Sequence, residues 1–211
     1  MAATTIGLVL GVFSVLADGV VPSRLFTTLG NIISPWVIAA FAAGRLGRSL
    51  RAGGWAGTGA LVVGVVSYYV VRAIRFAADS GASSADLMNA TPFVWLIAAM
   101  LVGPVMGVAG AASNRTQPPV AAVVAPAAVL LAEAGYLVLD RRPWRWALAQ
   151  ELYRLADVAV FVVLVALALG LPALLITEPG RRRWAYAAVL TCGAAGVGSI
   201  RVLYRLIAAA T

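Results

Sequence analysis

The sequence contains no lysine and no histidine, and it has one cysteine, Cys192. Without histidine the chain lacks the commonest proton shuttle and the commonest metal ligand in proteins. A single cysteine excludes an internal disulfide and any site built on a cysteine pair. The short motifs of soluble hydrolases, zinc enzymes and phosphate-binding loops are also missing. Any catalysis would therefore fall to carboxylates, tyrosines and arginines, and we expect no metal and no other cofactor.

Charged residues are scarce as well, at 11% of 211 positions, whereas 62% are hydrophobic and the mean hydropathy is +0.94. Soluble domains carry about 25% charged residues. The 16 cationic side chains are all arginine, and they outnumber the 8 acidic ones. This composition excludes an ordinary soluble domain and predicts a multi-pass protein of the cell membrane.

Apolar stretches long enough to cross a bilayer recur along the whole chain. A hydrocarbon core of about 30 Å needs about 20 apolar residues in a helix. No linker is long enough to divide the chain, so we expect residues 1–211 to form one transmembrane domain of the all-α class, a polytopic bundle of about seven transmembrane helices. The predicted spans are residues 4–21, 32–50, 55–77, 92–112, 119–139, 155–176 and 184–208.

Local patterns identify two surface segments and one helix start. Residues 140–154 alternate arginine with tryptophan, which predicts a short helix on the membrane surface and argues against a nucleic-acid partner. Residues 79–90 are the longest polar connection and are suited to a flap. Ser34 stands before a proline, and this pair predicts that Ser34 is the N-cap of the second span.

The acids inside the predicted spans gather in one half of the bilayer. We call the face that carries the N-terminus side A and the opposite face side B. Because successive spans alternate in direction, Asp18, Glu133 and Asp157 all lie towards side B. An ionisable side chain that faces lipid at mid-depth costs about 3 kcal/mol, so we expect these acids to turn towards the interior of the bundle. Glu133 is the deepest and is the first candidate for a catalytic acid, with Asp18 and Asp157 as the others.

Arginines and aromatic residues approach the same half of the bilayer. Tyr68, Arg72 and Arg75 share one face of the third span by their spacing, and the last span has a similar pattern. We expect these polar stripes to face one another and enclose a pocket, unless the acids and arginines form structural ion pairs only. The predicted substrate-binding residues are Tyr68, Tyr69, Arg72, Arg75, Trp36, Trp95, Tyr136, Arg201, Tyr204 and Arg205.

An apolar pocket with an acid that stays protonated and with electron-rich rings suits the proton-initiated rearrangement of a lipophilic substrate. The acid would protonate an alkene or an epoxide, and aromatic faces would stabilise the carbocation that follows. In size, helix number and lack of metal-binding motifs, the chain resembles the small integral-membrane terpene cyclases of microbial biosynthetic pathways. That resemblance is architectural. It implies a metal-independent isoprenoid cyclase that meets a lipophilic small molecule in the lipid bilayer, and it assigns no site residues.

Four short segments are similar to a set of small uncharacterised polytopic membrane proteins common in actinobacteria. They are residues 31–36, Tyr68 with Tyr69, residues 103–107 and residues 132–134. This second resemblance implies the same polytopic fold, and it implies no particular activity.

Transport is the competing class of function. A small helical bundle with a polar pocket open to one face resembles the substrate-capturing membrane subunits of vitamin uptake systems. The arginine pairs of the third and last spans would then bind an anionic or vitamin-like solute. Arginines in loops favour side A in the cytoplasm by a small margin, which would place the pocket outside, as solute capture requires. A third alternative is an assembly partner without a small-molecule site, and the sequence leaves the oligomeric state open.

Overall fold

A computed structural model describes residues 1–19, 24–30, 32–80, 91–141 and 151–209. Across these ranges every regular element is helical, which confirms the predicted all-α class. A π-helical turn, Leu137–Arg141, continues the sixth helix. The α-helices are α1 (Ala2–Gly19), α2 (Arg24–Gly30), α3 (Ser34–Arg45), α4 (Leu50–Ser80), α5 (Thr91–Ser113), α6 (Val120–Tyr136), α7 (Glu151–Leu175) and α8 (Pro179–Ala209).

Five helices in the described part of the chain, α4 to α8, are long and apolar enough to cross a membrane. They correspond to the last five predicted spans. The first predicted span, residues 4–21, corresponds to α1, whose described apolar part is the shorter segment Ala2–Ala17. The chain therefore has the helix lengths and composition of a membrane protein, with five helices that meet the length of a full span.

The second predicted span, residues 32–50, is wrong as one continuous helix. Helix α3 ends at Arg45, and the N–H groups of Leu46 and Gly47 bond back to carbonyls of its last turn. Helix α4 then begins at Leu50, earlier than predicted, because the Ser49 hydroxyl accepts a hydrogen bond from the Ala52 N–H at 3.1 Å and so caps this helix. A separate helix, α2, precedes α3.

Glycines allow α3, α4 and α5 to meet at one point near side A, which we call the glycine junction (Gly44, Gly53 and Gly107). A Cβ atom on Gly44 would overlap the backbone of Gly107, and a Cβ atom on Gly107 would overlap the backbone of Gly53. A Cβ atom on Gly53 would lie 2.5 Å from that of Ala111. Close approach of this kind is how small residues pack membrane helices.

The same device joins α1 to α4, where a Cβ atom on Gly7 would overlap the carbonyl of Ala60. Helices α1, α3, α4 and α5 thus pack as one group, while α6 packs against α7 and α8. Helix α2 contacts α7, and α3 contacts α6. The chain between α2 and α3 therefore lies where the two groups of helices meet.

Several predicted features fall outside the described residues. Two of them are only partly described: the predicted flap lies outside the described residues at 81–90, and the predicted surface helix does so at 142–150. Residues 79 and 80 continue α4, and residues 151–154 begin α7. The side chains of Asp18 and Tyr204 are also outside what the structure describes, although both residues belong to helices.

The glycine junction gives a stability prediction. Gly107→Ala should lower the free energy of unfolding by about 2 kcal/mol, because its methyl group must push apart two helix backbones. Gly59→Ala is the matched control on α4, where a Cβ atom meets nothing within 4 Å. The control should be neutral or stabilising by up to about 1 kcal/mol, since alanine favours a helix over glycine. Thermal unfolding in detergent measures both, and equal melting temperatures would contradict the packing described above.

Candidate functional site

Residues 32 and 33, just before α3, belong to no helix although they lie within the protein. Helix α2 ends at Gly30 and α3 begins at Ser34, and we call this interruption the α2–α3 break. Ile32 lies in it and is only 3% exposed, because its side chain packs in a cluster with Leu130 of α6 and Val160 of α7. Buried backbone outside a helix must find other hydrogen-bond partners, and in a lipid environment water does not supply them.

Glu133 of α6 supplies those partners. Its Oε1 atom accepts a hydrogen bond from the Ile33 N–H at 2.7 Å, and its Oε2 atom accepts one from the Ser34 N–H at 2.6 Å. The Ser34 hydroxyl also donates to Oε2, at 2.5 Å. The glutamate is fully buried, at 0% exposure. The acid that interrupts an apolar span in the sequence is therefore the acceptor for the first N–H groups of another helix.

Glu133 completes the capping of α3. The N-cap residue is Ile33, which has no capping side chain of its own, and Pro35 in the first turn has no N–H to satisfy. The Trp36 and Val37 N–H groups bond to the Ile33 carbonyl. The prediction that Ser34 is the N-cap is therefore wrong, because its hydroxyl bonds to Glu133 and a carboxylate from a distant helix takes the capping role. A negative charge at a helix N-terminus also interacts favourably with the helix dipole.

Asp157 of α7 binds α2, the helix on the other side of the break. The Thr28 hydroxyl of α2 donates a hydrogen bond to Asp157 Oδ1 at 2.8 Å, and both side chains are 1% exposed. Thus α2 is held from α7 and α3 is held from α6, each through a buried carboxylate. Glu133 and Asp157, two of the acids predicted from the sequence, thus contact the helices on either side of the break.

The sequence left open whether Glu133 meets an arginine or stays protonated beside Tyr136. In the structure both of its oxygens accept hydrogen bonds from main-chain N–H groups. An ionised carboxylate is an acceptor only, so this geometry matches the charged form of the side chain. Three donors converge on one carboxylate, and hydrogen bonds to a charged group are about twice as strong as neutral ones.

Three of the predicted aromatic residues pack together beside the break. Trp36 of α3, Tyr69 of α4 and Trp95 of α5 all contact one buried apolar cluster. Ile33, whose N–H binds Glu133, packs against that cluster too. The Tyr68 ring meets the Tyr69 ring edge to face, with centroids 5.0 Å apart. Aromatic faces thus lie next to the capped end of α3.

The predicted arginines are placed differently. Arg72 is exposed, donates a hydrogen bond to the Tyr68 hydroxyl at 3.2 Å and stands 6.0 Å from the centre of that ring. Arg205 of α8 is exposed as well, while Arg75 and Arg201 are partly exposed. Helix α4 packs against α1, α3 and α5, whereas α8 packs against α6 and α7. The sequence predicted that Arg72 and Arg205 would enclose a pocket together with Glu133. In the described part of the chain, both arginines are exposed, and they are not enclosed with Glu133 in one pocket. Tyr136 is half-buried near the end of α6.

Sequence reasoning missed Thr28, the two main-chain donors and the break itself. Gly30 and Pro35 flank the interruption, and they are ordinary stop and start signals for helices. A short helix ahead of them was hidden because Pro22 and Ser23 made the whole segment resemble a loop. The partner of the freed N–H groups could not be found from spacing, because it lies about a hundred residues away in the sequence.

Apolar helices of spanning length, glycine-mediated packing and a capped helix break define a polytopic helical membrane protein. The chain belongs to DUF6518, a family of unknown function, whose family model matches residues 1–206. No curated protein and no solved structure matches the sequence. The function is therefore inferred from the geometry of the α2–α3 break.

The capping contacts predict an order of stabilities. Glu133→Ala should lower the free energy of unfolding by at least about 3 kcal/mol, because it leaves buried N–H groups without an acceptor. Glu133→Gln keeps one acceptor oxygen and should cost about half as much, and Ser34→Ala should cost about 1 kcal/mol. Thermal unfolding in detergent gives the ranking. Glu178→Gln, at an exposed position, is the control and should be neutral. Wild-type stability in Glu133→Ala would show that the cap contributes nothing.

Proposed function

We propose that the protein is a multi-pass protein of the cell membrane that binds and transports a small anionic solute at the α2–α3 break. The observation that carries this proposal is the pair of N–H groups of Ile33 and Ser34 held on a buried carboxylate. Discontinuous helices whose half-helix N-termini point at an anionic group are how many transporters build their binding sites. Of the two functions expected from the sequence, this geometry favours solute binding.

The proposal includes seven crossings. Helices α2 and α3 contain 7 and 12 residues, and these 19 helical residues rise about 28 Å at 1.5 Å per residue, close to the thickness of a hydrocarbon core of about 30 Å. Helix α1 is the remaining crossing. A broken helix in the bilayer needs acceptors at its interruption, and Glu133 provides them for α3.

Glu133 occupies the place that a solute carboxylate would take. When such a solute binds to the N–H groups of Ile33 and Ser34, Glu133 leaves them and takes up a proton, so that two negative charges do not share one buried site. One proton is bound for each solute anion. The Thr28–Asp157 contact keeps α2 closed against α7 until the solute enters. Such a sequence of steps couples solute binding to the proton gradient through one residue.

This coupling predicts a pH dependence. In the purified protein, stabilisation by carboxylic acids should increase as the pH falls, with affinity rising about tenfold per pH unit while Glu133 must take up one proton. The measurement is thermal unfolding with a panel of small monocarboxylates at mildly acidic and at neutral pH. Glu133→Gln mimics the protonated side chain, so it should still bind the solute but lose the dependence on pH.

Asp157, Arg201 and Arg205 are the other charged side chains described towards side B on the helices packed against α6. The test must therefore distinguish proton uptake by Glu133 from an effect of these other charged groups. Asp157→Asn should retain the pH dependence, and the exposed Glu178→Gln should behave as the wild type. If Asp157→Asn removes the pH dependence and Glu133→Gln does not, the proton is taken up elsewhere and the mechanism is wrong.

Terpene cyclisation is the second candidate, and the aromatic group beside the break favours it. Trp36, Tyr69 and Trp95 offer electron-rich faces close to Ile33, and a carbocation would be stabilised there. In this function Glu133 is the proton donor to an alkene or an epoxide, with Asp18 and Asp157 as the remaining acids. Glu133 would first have to leave the α3 N–H groups, because a carboxylate engaged by them has no proton to give.

Two measurements separate the candidates. Cysteines introduced at Ser80 and Gly180, in a Cys192→Ser background, report which ends of α4 and α8 an impermeant thiol reagent reaches. Labelling of position 80 from outside the cell supports solute capture, whereas side B in the cytoplasm counts against it. Incubation with a linear polyprenyl epoxide tests the cyclase, for which Glu133→Gln should abolish turnover. Full activity of that variant would remove Glu133 as the acid.

A further inference from the structure

A cleft on side A has no part in the function proposed above. The turn between α3 and α4 faces the loop between α5 and α6 across an open space of about 380 Å³, which we call the side A cleft. Its polar lining comes from Arg48, Ser49, Asn114 and Arg115. Ala111, which contacts Gly53, also lines it, so the glycine junction adjoins the cleft and fixes the separation of its walls.

Hydrogen bonds fix the loop that forms one wall. The Asn114 side chain donates to the Arg45 carbonyl at 2.5 Å and accepts a hydrogen bond from the Arg45 Nε atom at 3.0 Å. Farther along the same loop, Arg181 of α8 donates to the Pro118 carbonyl at 2.6 Å. Loop and helix ends are thus held together before any ligand arrives, which lowers the entropic cost of binding.

The guanidinium groups of Arg48 and Arg115 are not used in this framework. Both side chains are exposed, and neither forms a hydrogen bond or an ion pair with another described side chain. Arg45, Arg181 and Arg182, by contrast, hold main-chain or amide oxygens at the helix ends. Two cations therefore line a preformed cleft with their donors available, and planar guanidinium forks match the oxygens of a phosphate.

Exposed tryptophans place the cleft at the level of lipid headgroups. Trp55 and Trp184 are 73% and 76% exposed, and each follows the start of its helix by five residues, on α4 and on α8. Tryptophan concentrates at the membrane–water interface, so these two rings mark that interface on side A. The cleft lies at the ends of the spans Leu50–Arg75 and Thr91–Ser113, just beyond this level.

The charge of side A favours an anionic ligand. Glu178 is the one acid in the connections of this side. Clustered arginines at the membrane surface attract anionic lipid, and each one that lies close to the bound headgroup contributes roughly a fivefold gain in affinity. The arginines of side A are Arg45, Arg48, Arg51, Arg115, Arg181, Arg182 and Arg183.

We propose that the side A cleft binds a phosphate group through Arg48 and Arg115, with Ser49 and Asn114 as further polar contacts. Two sources carry such a group at this level, the headgroup of an anionic phospholipid and a soluble phosphate. The position of the cleft in the headgroup layer favours the lipid. A lipid held there ties the α3–α4 turn to the α5–α6 loop and so steadies the three helices of the glycine junction.

Native mass spectrometry of the full-length protein in detergent, titrated with phosphatidylglycerol, tests the site. The double variant Arg48→Ala with Arg115→Ala should bind the lipid about 30-fold more weakly than the wild type. The matched control is Arg51→Ala with Arg183→Ala, which removes the same charge from exposed positions of side A outside the cleft lining. The control should lose far less affinity, and equal losses in the two double variants would overturn the proposal.

The wild type alone also tests the proposal, whatever the fate of the variants. Added salt should weaken phosphatidylglycerol binding, because exposed charges are screened. Affinity that is insensitive to salt, or equal affinity for phosphatidylcholine, would overturn the site. An excess of inorganic phosphate distinguishes the sources: displacement of the lipid assigns the cleft to any phosphate group, and retention of the lipid assigns it to the phospholipid.

Discussion

The main-chain N–H groups at the start of α3 set the constraint on which the centre of this protein depends. The N–H groups of Ile33, which is partly buried, and of Ser34, which is buried, find their acceptor on α6 and not within α3. A buried donor without a partner costs about 1–3 kcal/mol, and two adjacent ones would oppose the break itself. The Glu133 carboxylate accepts hydrogen bonds from both of these groups and from the Ser34 hydroxyl, so three donors converge on it.

Two kinds of contact hold the helices of the bundle together. Around the glycine junction, helix backbones touch directly, and a single added methyl group has nowhere to go. At the α2–α3 break, by contrast, side chains reach across to hydrogen-bond partners that can be exchanged for others. The first kind of contact is rigid because it depends on shape, whereas the second depends on hydrogen bonds to carboxylates.

The sequence predicts most of the fold because apolar length and alternating direction are local properties. The five helices of spanning length and the helical class follow from them, and so does the depth of Glu133 and Asp157. The break could not be predicted in the same way, because α2 is a seven-residue helix with no span-length signal. Nor could the partners of the acids be found, since tertiary packing brings the Ile33 and Ser34 N–H groups to Glu133 and the Thr28 hydroxyl to Asp157. Arg72 shows the opposite error: its spacing placed it on a shared polar face, but its side chain is exposed and donates a hydrogen bond to Tyr68 on its own helix.

The distance along the chain between the break and its acceptor also constrains how the protein is made. Ile33 precedes Glu133 by 100 residues, and Thr28 precedes Asp157 by 129. Segments leave the ribosome in order, so α2 and α3 enter the membrane well before the helices that complete their hydrogen bonding. Until α6 arrives, water or the insertion machinery must satisfy the exposed peptide groups. A chain truncated before Glu133 therefore leaves the N–H groups of Ile33 and Ser34 without this acceptor.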